Sequence, residues 1–206
     1  MRIAVLGATG RVGRLVAEQA LDRGHEVVAL VRSPQRYAPP ARGGVEVRQA
    51  DVTRPQEFPE LADVDVLVSA LGISKGDGPG TLLAGARLVA GLPVRTLWLG
   101  ALGSGASTGA GGGIYHGVLK LFVGKELAEK GAADTIVLAG GATVFHAPDL
   151  RVGEVGAARR NVPLAQYPRP LLPPHASRAT VAALMLDEAE APTAGAGILV
   201  PTAGAA

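Results

Sequence analysis

The sequence predicts an α/β protein with a doubly wound parallel sheet. Strand-like and helix-like segments alternate along most of the chain, which is typical of a parallel sheet with helices on both faces. The chain begins with an apolar run at residues 3–6, three glycines spaced three apart, an amphipathic run and a second apolar run at residues 27–31. With 206 residues, 48% of them hydrophobic and 18% charged, it is long enough to bury a substantial core.

Three glycines follow the first apolar run directly. Gly7, Gly10 and Gly13 lie between that run and a segment whose apolar residues recur at helical spacing. In such a strand–turn–helix unit, backbone N–H groups and the positive end of a helix bind the pyrophosphate of a dinucleotide. Gly10 would let the phosphates approach the backbone, and Gly13 would let the helix pack closely on the sheet. The alternative is a turn that uses glycine only for its shape.

The end of the second apolar run indicates which dinucleotide would bind. A carboxylate at this point hydrogen-bonds the ribose of NAD, whereas an arginine suits the 2′-phosphate of NADP. The sequence has Arg32 and Ser33 here and no carboxylate, since Glu26 lies at the other end of the run. The planar donors of an arginine match a phosphate well. The pattern favours NADP over NAD, and the other interpretation is a solvated arginine at a strand end.

The segment from Gly7 to Gly13, together with the run from Gly24 to Arg32, resembles the atypical short-chain dehydrogenase/reductase superfamily. Within it, the chain is similar to the NmrA-like, NAD(P)H-binding proteins, which include NADH–flavin reductases and biliverdin-IXβ/flavin reductases. The resemblance covers most of the chain and is most specific in its amino-terminal half. It implies a Rossmann-like doubly wound parallel sheet, a nicotinamide cofactor and a short irregular C-terminal segment on the substrate side.

The resemblance and the fold together imply a set of cofactor contacts. Asp51 and Val52 follow the third strand, where the family places the adenine, although Asp51 could instead cap the next helical segment. Ala70, Leu71 and Gly72 end the fourth strand, where ribose and nicotinamide would pass. The complete expected set is Gly7, Thr9, Gly10, Arg11, Val12, Gly13, Arg32, Ser33, Asp51, Val52, Ala70, Leu71, Gly72, Gly100 and Lys120.

The remaining chain is predicted to continue the alternation and then to become irregular. Residues 101–113 are almost all Gly, Ala, Ser and Thr, so we expect a mobile segment, either a substrate lid or a passive loop. The β-branched run at 135–139 predicts the sixth strand, and residues 140–175, rich in Gly and Pro, contain no recognisable element. The other expected elements are helices at 81–90, 114–130 and 177–188 and strands at 45–49, 64–72, 94–100 and 197–200.

Reductases of the resembled superfamily place a serine after the fifth strand, and a tyrosine four residues before a lysine on the next helix. The tyrosine passes a proton, the lysine lowers its pKa and holds the nicotinamide ribose, and the serine orients the carbonyl. Here the first hydroxyl after the fifth strand is Ser104, and His116 stands four residues before Lys120. Matching the helix and the expected sixth strand to the family places Lys120 at the lysine. His116, Tyr115 and Lys120 are therefore the candidate catalytic residues; the alternative is that they are ordinary helix residues.

Two further histidines, His146 and His175, fall in the region expected to be irregular and are interpreted as loop residues. The arginine that the family usually has after the sixth strand is replaced by Leu138 and Ala139. Four scattered histidines and no cysteine give no metal-ligand pattern, so no metal is expected.

These patterns predict an NADP(H)-dependent oxidoreductase acting on a small flavin-, quinone- or carbonyl-type substrate. Two alternatives stay open: a non-catalytic NADP-binding regulator or sensor, and a lyase, isomerase or cyclase that retains the cofactor. A single domain is expected over 1–206, with 1–139 as the cofactor-binding core and 140–206 as a pocket wall. The net charge of +2 and the absence of a long apolar run predict no nucleic acid or membrane partner and a cytoplasmic location. The sequence does not indicate the oligomeric state.

Overall fold

The computed structural model describes residues 1–41, 43–73, 78, 80–168, 170, 174–192 and 197–203, and gives residues 113–125 as helix backbone only. Over these residues the predicted α/β class is confirmed, because helices cover both faces of a mostly parallel, eight-stranded sheet. The strands are β1 (Arg2–Leu6), β2 (Glu26–Val31), β3 (Val45–Gln49), β4 (Val66–Ser69), β5 (Arg95–Ala101), β6 (Thr143–Ala147), β7 (Asp149–Arg151), β8 (Arg160–Pro163), β9 (His175–Ser177) and β10 (Gly197–Thr202). The helices are α1 (Arg11–Asp22), α2 (Thr81–Ala90), α3 (Gly113–Ala139) and α4 (Arg178–Glu190).

The strand order places a reversal between β1 and β4. The large sheet runs β3-β2-β1-β4-β5-β6-β10-β8, and its neighbours are parallel except for the pair of β10 and β8. The connections leaving β1 and β4 turn to opposite sides of the sheet, which leaves a crevice at the carboxyl ends of these strands. The glycine turn after β1 and the exit of β4 therefore face each other across this crevice.

Each face of the sheet has its own apolar layer. On one face, Phe145 shares a buried cluster with Val16 of α1 and Met185 of α4. On the other, Trp98 shares a cluster with Val137 of α3. Side chains of successive strand residues point to opposite faces, so strands covered on both sides are apolar along their whole length. This explains the continuous apolar runs from which the strands were predicted.

The predicted sixth strand at 135–139 is wrong. These residues form the last turns of α3, in which Thr135 donates its hydroxyl to the carbonyl of Gly131 at 2.9 Å and Val137 is fully buried. Gly140 and Gly141 end the helix, and Gly141 has a φ of +86°, which glycine adopts without strain. The sixth strand is Thr143–Ala147, and His146 lies on it with no exposed surface.

The C-terminal region is more regular than predicted. Strand β8 pairs with β10, and β7 pairs in parallel with β9 in a small second sheet, all within or beside the region expected to be irregular. Ser177 caps α4 and accepts a hydrogen bond from the Thr180 N–H at 2.9 Å. At the other end of α4, Glu190 lies 3.0 Å from Arg23 and 2.8 Å from His25, which ties α4 to the end of α1. Among the residues described, no helix is both long enough and apolar enough to cross a bilayer.

Candidate functional site

The glycine turn after β1 is shaped by two close backbone approaches. Gly7 has a φ of +79°, and a Cβ placed on it would lie 2.8 Å from the carbonyl oxygen of Ala70 at the exit of β4. The Gly10 N–H donates to the Gly7 carbonyl at 2.9 Å and closes the turn. A Cβ on Gly13 would lie only 2.2 Å from the same carbonyl oxygen, so α1 packs directly on the turn. The expectation that Gly13 permits close packing is confirmed.

The amino end of α1 points into an open cleft without a side chain that neutralises it. Gly10 is the N-cap residue, no side chain caps the helix, and the first turn contains no acidic residue. The first N–H groups and the positive end of the helix dipole are therefore available to an anion. We call this space the main cleft; it is lined by Leu6, Gly7, Thr9, Gly10, Leu30, Val31, Arg32, Ala50, Val52, Ala70, Leu71, Gly72 and Thr81.

A second, polar cleft shares Arg32 with the main cleft and continues past the end of β2. We call it the arginine cleft; it is lined by Arg32, Ser33, Arg36, Gln49, Asp51, Arg54 and Glu57. Its three arginines are exposed. Such a concentration of guanidinium groups favours a phosphate or carboxylate group on a ligand.

Asp51 brings a negative charge into the arginine cleft. Its Oδ1 accepts the Thr53 hydroxyl at 2.7 Å and the Thr53 N–H at 2.9 Å. These two bonds lower the pKa of Asp51, and the charges of Arg54 and Arg32 lower it further. The carboxylate is therefore ionised at neutral pH and held in one orientation. The next helical turn, Pro55–Glu57, has Arg54 as its N-cap residue and no side-chain cap, so the alternative interpretation of Asp51 as its cap is wrong.

The glycine-rich segment after β5 is folded against the protein rather than unanchored. Leu102, Ser104 and Ser107 are at most 1% exposed, and the Leu102 N–H donates to the Ala147 carbonyl at 2.8 Å. Successive N–H···O bonds between residues three apart continue along the segment. A Cβ on Gly131 of α3 would lie 2.7 Å from the nitrogen of Gly105, so the absence of side chains lets the backbones touch. The composition that predicts mobility instead permits close packing here.

A buried polar network lies beneath this segment, and it consists of Trp98, Ser104, Ser107, Asp134 and His146. The carboxylate of Asp134, on α3, accepts the Trp98 indole N–H at 3.0 Å and the Ser104 hydroxyl at 2.9 Å. The Nδ1 of His146 lies 2.6 Å from the Ser107 hydroxyl, and its Nε2 lies 3.1 Å from the Asp134 carboxylate. The latter pair is close enough for an ion pair but is not aligned as a hydrogen bond.

This network was not predicted from the sequence, but the place of His146 on a strand has a local signal. Interpreting His146 as a loop residue was wrong because the strand was placed too early in the chain. The apolar run Thr143–Ala147 follows a Gly-Gly pair, which is where a new strand begins after a helix. A tryptophan inside a buried strand usually has an acceptor for its N–H, but the sequence does not show which residue supplies it.

The structure brings together many of the residues predicted for the cofactor. Gly7, Thr9, Gly10, Arg32, Val52, Ala70, Leu71 and Gly72 line the main cleft, and Arg32, Ser33 and Asp51 line the arginine cleft. On α1, Arg11 is exposed, whereas Val12 and Gly13 are buried in the packing of the helix. Gly100 lies under Asp134, since a Cβ there would be 2.8 Å from its Oδ1. Tyr115, His116 and Lys120 fall on α3, but their side chains lie outside the described residues.

No cluster of three or more potential metal ligands occurs in the part of the chain that the structure describes.

The chain belongs to a family of NAD(P)H-binding proteins, whose family model matches residues 7–192. This span contains both clefts except for Leu6 and includes the buried network. The fold, the glycine turn and the family match together define a protein with an NAD(P)H-binding fold. The family supports a nicotinamide cofactor without distinguishing NADP from NAD.

Among curated proteins, the chain is similar over about a third of its length to photosystem II assembly factor Ycf39. The Synechocystis protein is 37% identical over 71 residues, which is 34% of this chain and 22% of that protein. The Guillardia theta protein is 34% identical over 71 residues, again 34% of this chain and 23% of the relative. The chain thus spans about a fifth of the length of these relatives.

Solved structures resemble the chain over nearly its whole length. ChuY, an anaerobillin reductase from Escherichia coli O157:H7, has a TM-score of 0.76 and 20% identity, with 100% of this chain and 98% of that chain covered. SP1627, a proposed NADH-flavin reductase from Streptococcus pneumoniae TIGR4, has a TM-score of 0.73 and 19% identity, covering 98% and 99%. The oxidoreductase ylbE from Lactococcus lactis has a TM-score of 0.73 and 18% identity, covering 99% and 91%. At these identities the likeness establishes the fold.

Proposed function

We propose that the protein is an NADP(H)-dependent reductase of a small, flat flavin-, quinone- or carbonyl-type molecule. The observation that carries the proposal is the junction of the two clefts at Arg32. One cleft offers the uncapped amino end of α1, and the other offers three arginines. A dinucleotide with an additional phosphate on its adenosine ribose has anionic groups at both places.

In this proposal the main cleft binds the pyrophosphate. The backbone N–H groups at the start of α1 donate to its oxygens, and the close packing of Gly13 keeps the helix end against the turn. The residues present fit the group, because no acidic side chain in the first turn opposes it. Thr9, Arg11 and Val12 belong to the same stretch and are proposed contacts.

The arginine cleft would bind the adenosine end. Arg32 and Ser33 are proposed to hold the 2′-phosphate, with Arg36 and Arg54 adding positive charge. Asp51, held ionised by Thr53, can accept a hydrogen bond from the adenine amino group, while buried Val52 supports the ring. The ionised Asp51 offsets part of the arginine charge, so phosphate affinity depends on how closely Arg32 approaches the phosphate.

The nicotinamide end is proposed to pass Ala70, Leu71 and Gly72 towards the carboxyl ends of β5 and β6. A nicotinamide bound there would supply hydride, and the role of the protein would be to hold the acceptor beside it and to exclude water. Gly100, Tyr115, His116 and Lys120 remain proposals for this end of the site. The reductase names among similar structures support a flat, conjugated acceptor.

The proposal is tested by following the oxidation of NADPH and NADH with a panel of flavins, quinones and small carbonyl compounds. We expect consumption that depends on the acceptor and is faster with NADPH at low cofactor concentration. Tight NADPH binding without consumption by any acceptor would contradict a reductase and support a regulator. Conversion of a substrate without net consumption of NADPH would instead support a lyase, isomerase or cyclase.

A further inference from the structure

The hydroxyl of Ser107 joins the buried network to the segment after β5. Its oxygen lies 2.6 Å from the Nδ1 of His146 and 3.0 Å from the Ser104 carbonyl oxygen, and it accepts the Gly103 N–H at 2.8 Å. Ser104 makes a second connection, from its hydroxyl to Asp134 at 2.9 Å. Two serines of one short segment are thus attached to an acid and a base on different elements, α3 and β6.

The protons of these groups can be assigned in two ways, and both keep the segment attached. If the Ser107 hydroxyl donates to the Ser104 carbonyl, then Nδ1 of His146 must carry a proton and donate to Ser107. If the hydroxyl donates to Nδ1, the neutral ring carries its proton on Nε2, facing the carboxylate of Asp134. In either arrangement His146 is hydrogen-bonded to the segment through Ser107, while its Nε2 lies 3.1 Å from the Asp134 carboxylate.

The same three residue types form the triads of serine hydrolases, but this arrangement cannot act as one. A nucleophilic serine must reach its substrate, whereas Ser107 and His146 have no exposed surface. Ser107 also uses its oxygen to bind the Gly103 N–H. The network is therefore suited to hold the backbone rather than to attack a substrate.

The segment lies where a substrate wall is needed. It follows β5, whose carboxyl end is beside the exit of β4 on one side and β6 on the other. The Leu102 N–H bonds the Ala147 carbonyl at the end of β6, so the segment also closes over the β5–β6 edge. Ligands in open parallel sheets bind outside this edge.

We propose that Asp134 and His146 are positioning residues that fix residues 101–107 as the substrate-side wall of the site. Trp98 supports them by donating to Asp134, and Gly100 leaves the space that the carboxylate occupies. Neither Asp134 nor His146 touches the substrate; both act through Ser104 and Ser107. The role in turnover rests on the proposed reductase function, while the holding of the segment stands on the structure.

Ser107→Ala is the first variant to test, because it cuts the connection between the segment and His146 while Asp134 keeps its bonds from Trp98 and Ser104. The matched control is Thr108→Ala, which removes an exposed hydroxyl bonded to the Gly105 carbonyl in the same segment. Ser104→Ala, which cuts the other connection, is the second variant. Amide hydrogen exchange is read at Leu102 and Thr108, whose acceptors are backbone carbonyls that the Ser107 substitution leaves intact.

We expect Ser107→Ala and Ser104→Ala to speed exchange at these amides about tenfold, while the Gly10 amide in the glycine turn is unchanged. If the wild type is active, we expect kcat/KM for the acceptor to fall about tenfold in both variants. The affinity for NADPH should change less than about twofold. Thr108→Ala should change neither quantity.

Unchanged exchange in both serine variants would overturn the inference. If the wild type is active and Ser107→Ala has the same kcat/KM for the acceptor as Thr108→Ala, the role of the network in turnover is overturned. The reductase proposal then stays intact. If none of the acceptors tested supports NADPH oxidation by the wild type, the reductase proposal is overturned. The exchange data would still decide whether the network holds the segment.

Discussion

Replacing Gly13 with alanine tests the geometry at the amino end of α1. The new Cβ would lie 2.2 Å from the Gly7 carbonyl oxygen and 2.8 Å from its carbon. An ordinary contact needs about 1 Å more, so either α1 or the turn must move. Because the clashing atoms belong to the backbone, no side chain can rotate away to relieve the overlap.

Two opposing terms set the expected magnitude. Alanine inside a helix gains about 1 kcal/mol over glycine. Overpacking against a fixed backbone costs about 3 kcal/mol, the upper part of the range for buried insertions. The net loss is about 2 kcal/mol, which corresponds to a fall in Tm of about 4–8 °C for a protein of this size.

The assay is urea unfolding of Gly13→Ala beside Gly91→Ala. A Cβ on Gly91, at the end of α2, would meet its nearest atom at 3.5 Å, an ordinary contact, and the backbone φ there is −92°. Gly91→Ala should therefore change the unfolding free energy by less than about 0.5 kcal/mol. A Gly13→Ala protein as stable as the wild type, or more stable, would refute the close approach of α1 to the turn.

Three further substitutions test other contacts. Arg95→Met removes guanidinium hydrogen bonds to the carbonyls of Glu188, Ala189 and Ala191 at the end of α4 (2.6, 3.1 and 2.9 Å). It should lower the unfolding free energy, measured by thermal unfolding, by about 2–3 kcal/mol. Arg151→Met, at an exposed arginine, is the control and should be nearly neutral. Trp98→Phe removes the N–H bond to Asp134 and should cost about 1–3 kcal/mol in urea unfolding; no loss would argue against that bond. The hydrogen bond from Arg48 lowers the pKa of Asp63 to about 2. The ionised Asp63 therefore contributes fully to stability above the pKa of about 4 that it has in the unfolded chain, and this contribution is lost as the pH falls towards about 2. Asp63→Asn should flatten the acid limb of a plot of unfolding free energy against pH, and an unchanged limb would contradict the pairing.

The amino-terminal half of the fold could be predicted because its signals are local. Apolar runs, a glycine triplet and an amphipathic helix follow one another within about thirty residues, and each strand is covered on both faces. The same order of elements indicates which residues follow the carboxyl ends of the strands and therefore lie at the crevice. Gly7, Arg32 and Ala70 were therefore predicted to meet from their places at strand ends, and they line one cleft.

The sixth strand was misplaced because helix and strand signals compete at residues 135–139. Thr135, Ile136 and Val137 are β-branched, which favours a strand when the run is considered alone. In the structure Ala133 and Val137 are both buried one helical turn apart, and the contact with the sheet decides the conformation. The following Gly140 and Gly141 are the better signal, since glycine pairs end helices.

The buried network could not be predicted from local pattern. Trp98, Asp134 and His146 are far apart in the sequence and meet only because β5 and β6 are neighbours under α3. Likewise, the segment after β5 was predicted to be mobile from its composition, whereas two of its serines bind partners on other elements. Pairings of this kind depend on tertiary contacts, which composition and periodicity do not contain.

The central claim is that the junction at Arg32 binds NADPH. Fluorescence titration of the wild type, Arg32→Ala and the exposed control Arg151→Ala with NADPH and NADH tests it most directly. We predict that the wild type prefers NADPH and that Arg32→Ala weakens NADPH about tenfold to a hundredfold while NADH changes less than about twofold. Arg151→Ala should match the wild type. Equal affinity for the two cofactors, unaffected by Arg32→Ala, would contradict the NADP assignment, and binding of neither would contradict the cofactor site itself.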